Sequence, residues 1–126
     1  MHTLRINRRK NRSNDVQVAL SFQLAATARR AKFSSIVLAD ELGMVISAFG
    51  HKETCEKMAA YAPILTNRSK TFHGSVRAQR GEEVRLSVAP LTLHASTLYL
   101  CAAEGDIEDI TRELFTGGRG ISRILA

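Results

Sequence analysis

The stretch SSIVLADELGMVISAFG, residues 34–50, constrains the fold more than any other part of the chain. Two apolar, largely β-branched runs flank Asp40–Glu41–Leu42–Gly43, whose acid and glycine suit a tight turn, with Gly43 free to adopt positive φ. The pattern predicts an antiparallel hairpin of Phe33–Ala39 and Met44–Phe49. Ile36–Val37–Leu38 and Met44–Val45–Ile46 are near-continuously apolar, which predicts central strands covered on both faces.

Helical patterns lie on either side of this hairpin. In RSNDVQVALSFQLAATARRAKF, Ser13 and Asn14 suit an N-cap and Asp15 the positive helix start. Leu20 with Leu24, and Phe22 with Ala25, give one apolar stripe, and Arg29, Arg30 and Lys32 suit the C-terminal end. HKETCEKMAAYAPILTNR predicts a second helix over residues 52–62, open to one further turn, with Pro63 expected to bend or end it. Met58, Ala59 and Ala62 keep one side of this helix slim.

From Phe72 to Ala103 the pattern turns to strands, FHGSVRAQ, EVRLSVAPLTLH and STLYLCAA, with QRGEE as a hairpin turn between the first two. Pro90 suits a bulge or a strand exit better than a central ladder. A last helix is expected over Ile107–Phe115, with Ile107, Ile110 and Leu114 at helical spacing. TGGRG is expected to end it, leaving ISRILA as a short apolar tail. The order is α-β-β-α-β-β-β-α, an α/β chain with one layer of five antiparallel strands and helices packed on it.

A chain of 126 residues is one domain and buries a core without metals or disulfides. No apolar run approaches the roughly 18–20 residues of a membrane span, so an integral membrane protein is not expected. Asp15, Gln17, Ser21 and Gln23 interrupt what would be the apolar part of a signal peptide, and the expected location is cytoplasmic. The arginine-rich start also fits a transit peptide. The net charge of +6 is unevenly placed. Arg5, Arg8, Arg9, Lys10 and Arg12 carry +5 in residues 1–12, and the remaining 13 basic and 12 acidic residues give +1. Residues 1–12 therefore read as a flexible basic arm and residues 13–126 as the domain. The arm could contact nucleic acid or anionic lipid, or serve only as a solvated tail, and it has no aromatic residue for base stacking.

No residue pattern announces catalysis: GxSxG, HExxH and a phosphate loop before a helix are all missing from the sequence. Gly117, Gly118 and Gly120 follow a helical pattern, the place of a C-cap rather than of an anion-binding loop. His73 and His94 fall in or beside strands without an assigned partner, and neither Ser34 nor Ser35 is marked as a nucleophile. His51 and Cys55 have i,i+4 spacing, but nothing nearby supplies further metal ligands. Cys55 and Cys101 are expected as small buried hydrophobes of a reducing compartment. No catalytic residue, metal or cofactor is expected.

SSIVLADELGMVISAFG followed by CEKMAAYAPIL resembles the roadblock/dynein light chain family, with Asp40, Gly43 and Met58–Ala62 at the matching positions. EVRLSVAPL and TLYLCAAEG resemble that family's last two strands. The resemblance covers about residues 15–115 and leaves the arm and GGRGISRILA outside. It implies a profilin-like or longin-like sandwich with sheet order 2-1-5-4-3, and a homodimer or heterodimer, of which the homodimer is expected because closed two-fold pairs are the commonest assembly. In that dimer the edge strand near Phe72–Gln79 meets its mate, with Met58, Ala59, Ala62 and Val76 at the interface. It also implies a non-enzymatic regulatory or scaffold module that binds a small Ras-like GTPase or another signalling protein, since several bacterial members bind and regulate small Ras-like GTPases. Two other readings stand beside it: an adaptor held to nucleic acid or anionic membrane by its arm, and a small-ligand sensor, since a PAS-like sheet has the same strand count.

Overall fold

The computed structural model of the chain describes residues 2–67, 70–77 and 80–126, and over residues 2–13 it describes backbone alone. The elements are α1 (His2–Ala31), β1 (Phe33–Ala39), β2 (Val45–Phe49), α2 (Lys52–Leu65), β3 (Phe72–Arg77), β4 (Glu83–Leu93), β5 (Ser96–Glu104) and α3 (Ile110–Leu125). The five strands form one antiparallel sheet in the order β2-β1-β5-β4-β3. Element order and sheet order both match expectation.

Two cores share the sheet. On one face α1 and α3 bury Leu20, Leu24, Leu114 and Ile121 against Ile36, Leu38, Leu100 and Ala102. On the other, α2 buries Cys55, Met58, Ala59 and Ala62 against Val37, Val88, Tyr99 and Cys101. β1 and β5 lie between the two layers and are covered on both sides, as apolar strands of this kind must be. Both cysteines are free and buried. Among the described residues, no helix is long and apolar enough to cross a membrane.

The β1–β2 turn is built by Asp40. Its carboxylate accepts hydrogen bonds from the Leu42 and Met44 amides at 2.9 and 3.0 Å, and Gly43 takes φ +79°. A side chain at Gly43 would also meet the α2 backbone at Ala60. Glu41 ties the same turn to β5 by accepting the Thr97 amide at 2.7 Å.

Several expectations need correction. β2 is an edge strand, with Met44 and Val45 exposed, because among the described residues only β1 pairs with it. Phe22 is 73% exposed rather than part of a stripe, since two residues of helix from Leu20 turn it to the far side. α1 runs through Ser13 and Asn14 instead of starting there. The expected basic arm, with Arg5, Arg8, Arg9, Lys10 and Arg12, lies outside the residues whose side chains are described. Pro63 sits inside α2, which ends at Leu65, where the Thr66 hydroxyl donates to the Ala62 carbonyl at 3.1 Å. Pro90 lies within β4, opposite Tyr99. Because β3 begins at Phe72 opposite Val88, Pro90 falls where, among the described residues, β4 is bordered by β5 alone, and a missing donor is tolerated there.

The largest difference is α3. Ile107 is exposed and precedes the helix, and TGGRG lies inside it. Ile110, Leu114, Gly117, Gly118 and Ile121 continue one buried stripe through the glycines. A Cβ at Gly117 would come within 2.8 Å of Thr27 Oγ1, and one at Gly120 within 2.3 Å of Gln23 Oε1. The glycines therefore form a notch that receives α1. The Arg30–Glu113 ion pair, 2.8 Å between Nε and Oε2, locks the two helices beside it.

Candidate functional site

The residues expected at an interface are placed differently from expectation. Met58, Ala59 and Ala62 are buried against the sheet by the chain itself, so they cannot be offered to a partner. Val76, half-buried on β3, packs at the margin of the same core. The stripe Cys55, Met58, Ala59, Ala62 has the i, i+3, i+4, i+7 spacing of a core-facing helix side.

The outward side of α2 carries the exposed apolar residues instead. Tyr61 and Ile64 project from the helix, Ile64 being 74% exposed. Leu42 and Met44 of the β1–β2 turn are exposed as well, and the turn itself abuts α2 at Ala60. At the far edge of the sheet lies β3, whose only strand partner among the described residues is β4. An unpaired edge presents free amides and carbonyls along its length.

A second feature lies on the opposite face of the sheet. β3 stops level with Val88, but β4 and α3 continue past it, leaving an open groove of about 590 Å³. Leu91 and Leu114 form its apolar base, Phe115, Arg119 and Arg123 stand along α3, and His73 stands on the β3 side. His73 has the partner that sequence order hid: its Nδ1 lies 3.0 Å from the Ser87 hydroxyl, across the β3–β4 register.

His94 is exposed in the β4–β5 turn at φ +50°. His51 is exposed at the start of α2, whereas Cys55 is buried, so the pair does not share a surface. Among the described residues no group of three metal-ligating side chains comes together. Burial pushes the Cys101 thiol up to about 12, with a smaller contribution from the nearby Cys55. Burial also raises Cys55, against a hydrogen bond from Ser35. Both thiols stay protonated and unreactive near neutrality.

No family model and no curated protein matches this chain. Solved structures do. The gliding protein MglB from Thermus thermophilus superposes with a TM-score of 0.62 at 12% identity, over 86% of this chain and 90% of that one. A Roadblock/LC7 domain from Streptomyces avermitilis gives 0.62 at 19% identity, over 83% and 96% respectively. Myxococcus xanthus MglB gives 0.59 at 10% identity, over 86% and 88%. At these identities the likeness concerns the path of the chain and not its surface. With the element order, the β2-β1-β5-β4-β3 sheet and these superpositions together, the chain has the roadblock/LC7 fold.

Proposed function

We propose that this chain is a non-enzymatic regulatory or scaffold module that works as a dimer and binds a small Ras-like GTPase. The roadblock/LC7 fold, extending over most of the chain, carries this reading. The exposed apolar residues of α2, and a β3 edge with no further strand partner among the described residues, support the dimer. An MglB with a tetrameric arrangement shows that a chain of this fold assembles. In this reading Ala60, Tyr61 and Ile64 make the contact across the two-fold axis. Met58, Ala59 and Ala62 hold the helix from beneath, and Val76 supports the edge strand. Regulation follows from differential affinity: a module that binds one nucleotide state of the GTPase better shifts the partner toward that state.

The test has two parts. Light scattering on the purified chain should give a dimer mass, and Ile64→Glu should shift it toward the monomer. The immobilised chain, presented with lysate of its source organism at moderate salt, should retain a small GTPase in either the GTP-analogue or the GDP condition, but not equally in both. A monomeric wild-type chain removes the dimer from the proposal. Retention that ignores nucleotide, collapses with salt and disappears on deleting residues 1–12 replaces it with the adaptor reading.

A further inference from the structure

The groove on the α1/α3 face belongs neither to the core nor to the proposed dimer surface. Its charge is one-sided. Arg119 and Arg123 lie one turn apart along its rim, and no carboxylate is among the described residues that line it. Like charges at i,i+4 repel. Three other arginines are compensated: Arg30 pairs with Glu113, Arg85 with Glu104, and Arg112 with Asp109 and Glu113. Arg119 and Arg123 form no ion pair with a described residue, and the Arg119 guanidinium lies only over the Phe115 ring, 5.9 Å from its centroid. The helix dipole explains Arg123, which is in the last turn of α3. It does not explain Arg119, since that effect fades beyond the last turn.

Beside these charges Phe115 is 66% exposed, next to the half-buried Leu91, with the buried Leu114 beneath. The groove is a partly open cleft and not an enclosed cavity, so a chain segment can lie in it. β4 also leaves the outer edge of Ala89–Leu93 without a strand partner among the described residues. The rim from Thr111 to Arg123 is about 18 Å long at 1.5 Å per residue, the span of about five or six extended residues. In an extended segment alternate side chains point to opposite sides, so one set can enter the apolar base while the other meets the arginines.

We propose that this groove docks an acidic, extended peptide segment of a partner protein, with apolar side chains on Leu91 and Phe115 and carboxylates on Arg119 and Arg123. The site is separate from the α2 face and goes beyond the GTPase reading. It is tested with the full chain and a fluorescein-labelled peptide of about six residues alternating glutamate and leucine, matched to the rim length. Fluorescence anisotropy is the readout.

Because residues 1–12 also attract anions, the titration is repeated on a chain with Arg5, Arg8, Arg9, Lys10 and Arg12 changed to Gln. The peptide should still bind that chain. R119E/R123E should weaken binding by about tenfold or more and Phe115→Ala by a smaller factor, with circular dichroism unchanged. Arg29→Glu, a like charge change at the end of α1, should leave it within about twofold. The proposal is overturned if R119E/R123E has no effect, if neutralising the arm alone abolishes binding, or if phenyl phosphate occupies the groove and the peptide does not.

Discussion

Gly117 gives a test of the α1–α3 interface whose expected sign is opposite to that of an ordinary helix. Replacing glycine by alanine inside a solvent-exposed helix stabilises by about 1 kcal/mol. At Gly117 the new Cβ would lie 2.8 Å from Thr27 Oγ1, 3.0 Å from its Cγ2 and 3.4 Å from its Cβ. Thr27 cannot turn aside. It is fully buried, it is β-branched, and its hydroxyl donates to the Gln23 carbonyl at 2.9 Å. Helix α1 must move instead, and overpacking of this kind costs about 1–3 kcal/mol. Gly117→Ala should therefore be net destabilising by about 1 kcal/mol, the midpoint of that range less the propensity gain.

Urea unfolding followed by circular dichroism at one fixed protein concentration measures it, with an unchanged slope expected. Thr27→Ala removes both obstructing atoms. The double substitution should recover stability relative to the sum of the singles, with a coupling of about 1–2 kcal/mol. Gly120→Ala provides the contrast: its obstacle is the Gln23 amide, the flexible end of a half-buried side chain joined to Thr27 only by a long 3.4 Å hydrogen bond. It should stay within about 1 kcal/mol of the wild type. A Gly117→Ala chain that is more stable than the wild type, without coupling to Thr27, refutes the notch.

Three further outcomes follow from local geometry. His94 and Ala95 both hold positive φ, +50° and +66°, in the β4–β5 turn, so Ala95→Gly should raise the urea midpoint by the equivalent of about 1 kcal/mol. Asp40→Ala leaves the Leu42 and Met44 amides without their acceptor and should cost about 1 kcal/mol, whereas Asp40→Asn keeps an oxygen in place and should cost less in the same assay. The thiols give a pH dependence of fixed sign. Cys101 rises from 9.0 to about 12 on folding, so its contribution is complete below about pH 9 and is lost as pH climbs toward 12, where only the unfolded chain releases the proton. Wild-type stability should fall above pH 9 more steeply than that of Cys101→Ala, and a thiol reagent at neutral pH should label neither cysteine before unfolding.

Much of the fold is legible in the sequence because its signals are local. The apolar run of β1 and the acid–glycine turn each follow from residues adjacent in sequence. The failures share a cause of a different kind. An unbroken apolar run marks a strand as buried only if neighbours exist on both sides, and nothing in Val45–Phe49 reveals that β2 has one neighbour. TGGRG carries the strongest local signal for ending a helix, yet Ile110, Leu114, Ile121 and Leu125 keep helical register through it. The longer period prevails because the glycines lie where α1 requires close approach, a tertiary fact that local propensity does not contain. On α2 the small residues suggest a contact face, although the spacing of Cys55, Met58, Ala59 and Ala62 is that of a core stripe. The groove is wholly illegible. It exists because β3 stops level with Val88 while α3 continues, and neither length is written in the motifs around them.

The two surfaces also make a joint prediction that neither makes alone. The α2 face and the α3 groove lie on opposite sides of one sheet, and the strands between them, β1 and β5, are buried from both directions. A packed layer of this kind yields little to a surface substitution, and sites that share no partner perturb one another by only about 0.3–0.5 kcal/mol. Ile64→Glu should therefore weaken the dimer while leaving the acidic-peptide affinity within about twofold. R119E/R123E should weaken peptide binding by about tenfold or more and leave the mass of the proposed dimer unchanged. Independence of this sort is what a scaffold requires, since one partner can then be held without displacing the other. If Ile64→Glu instead removes peptide binding, the groove is completed by the second copy, and the two surfaces are one site.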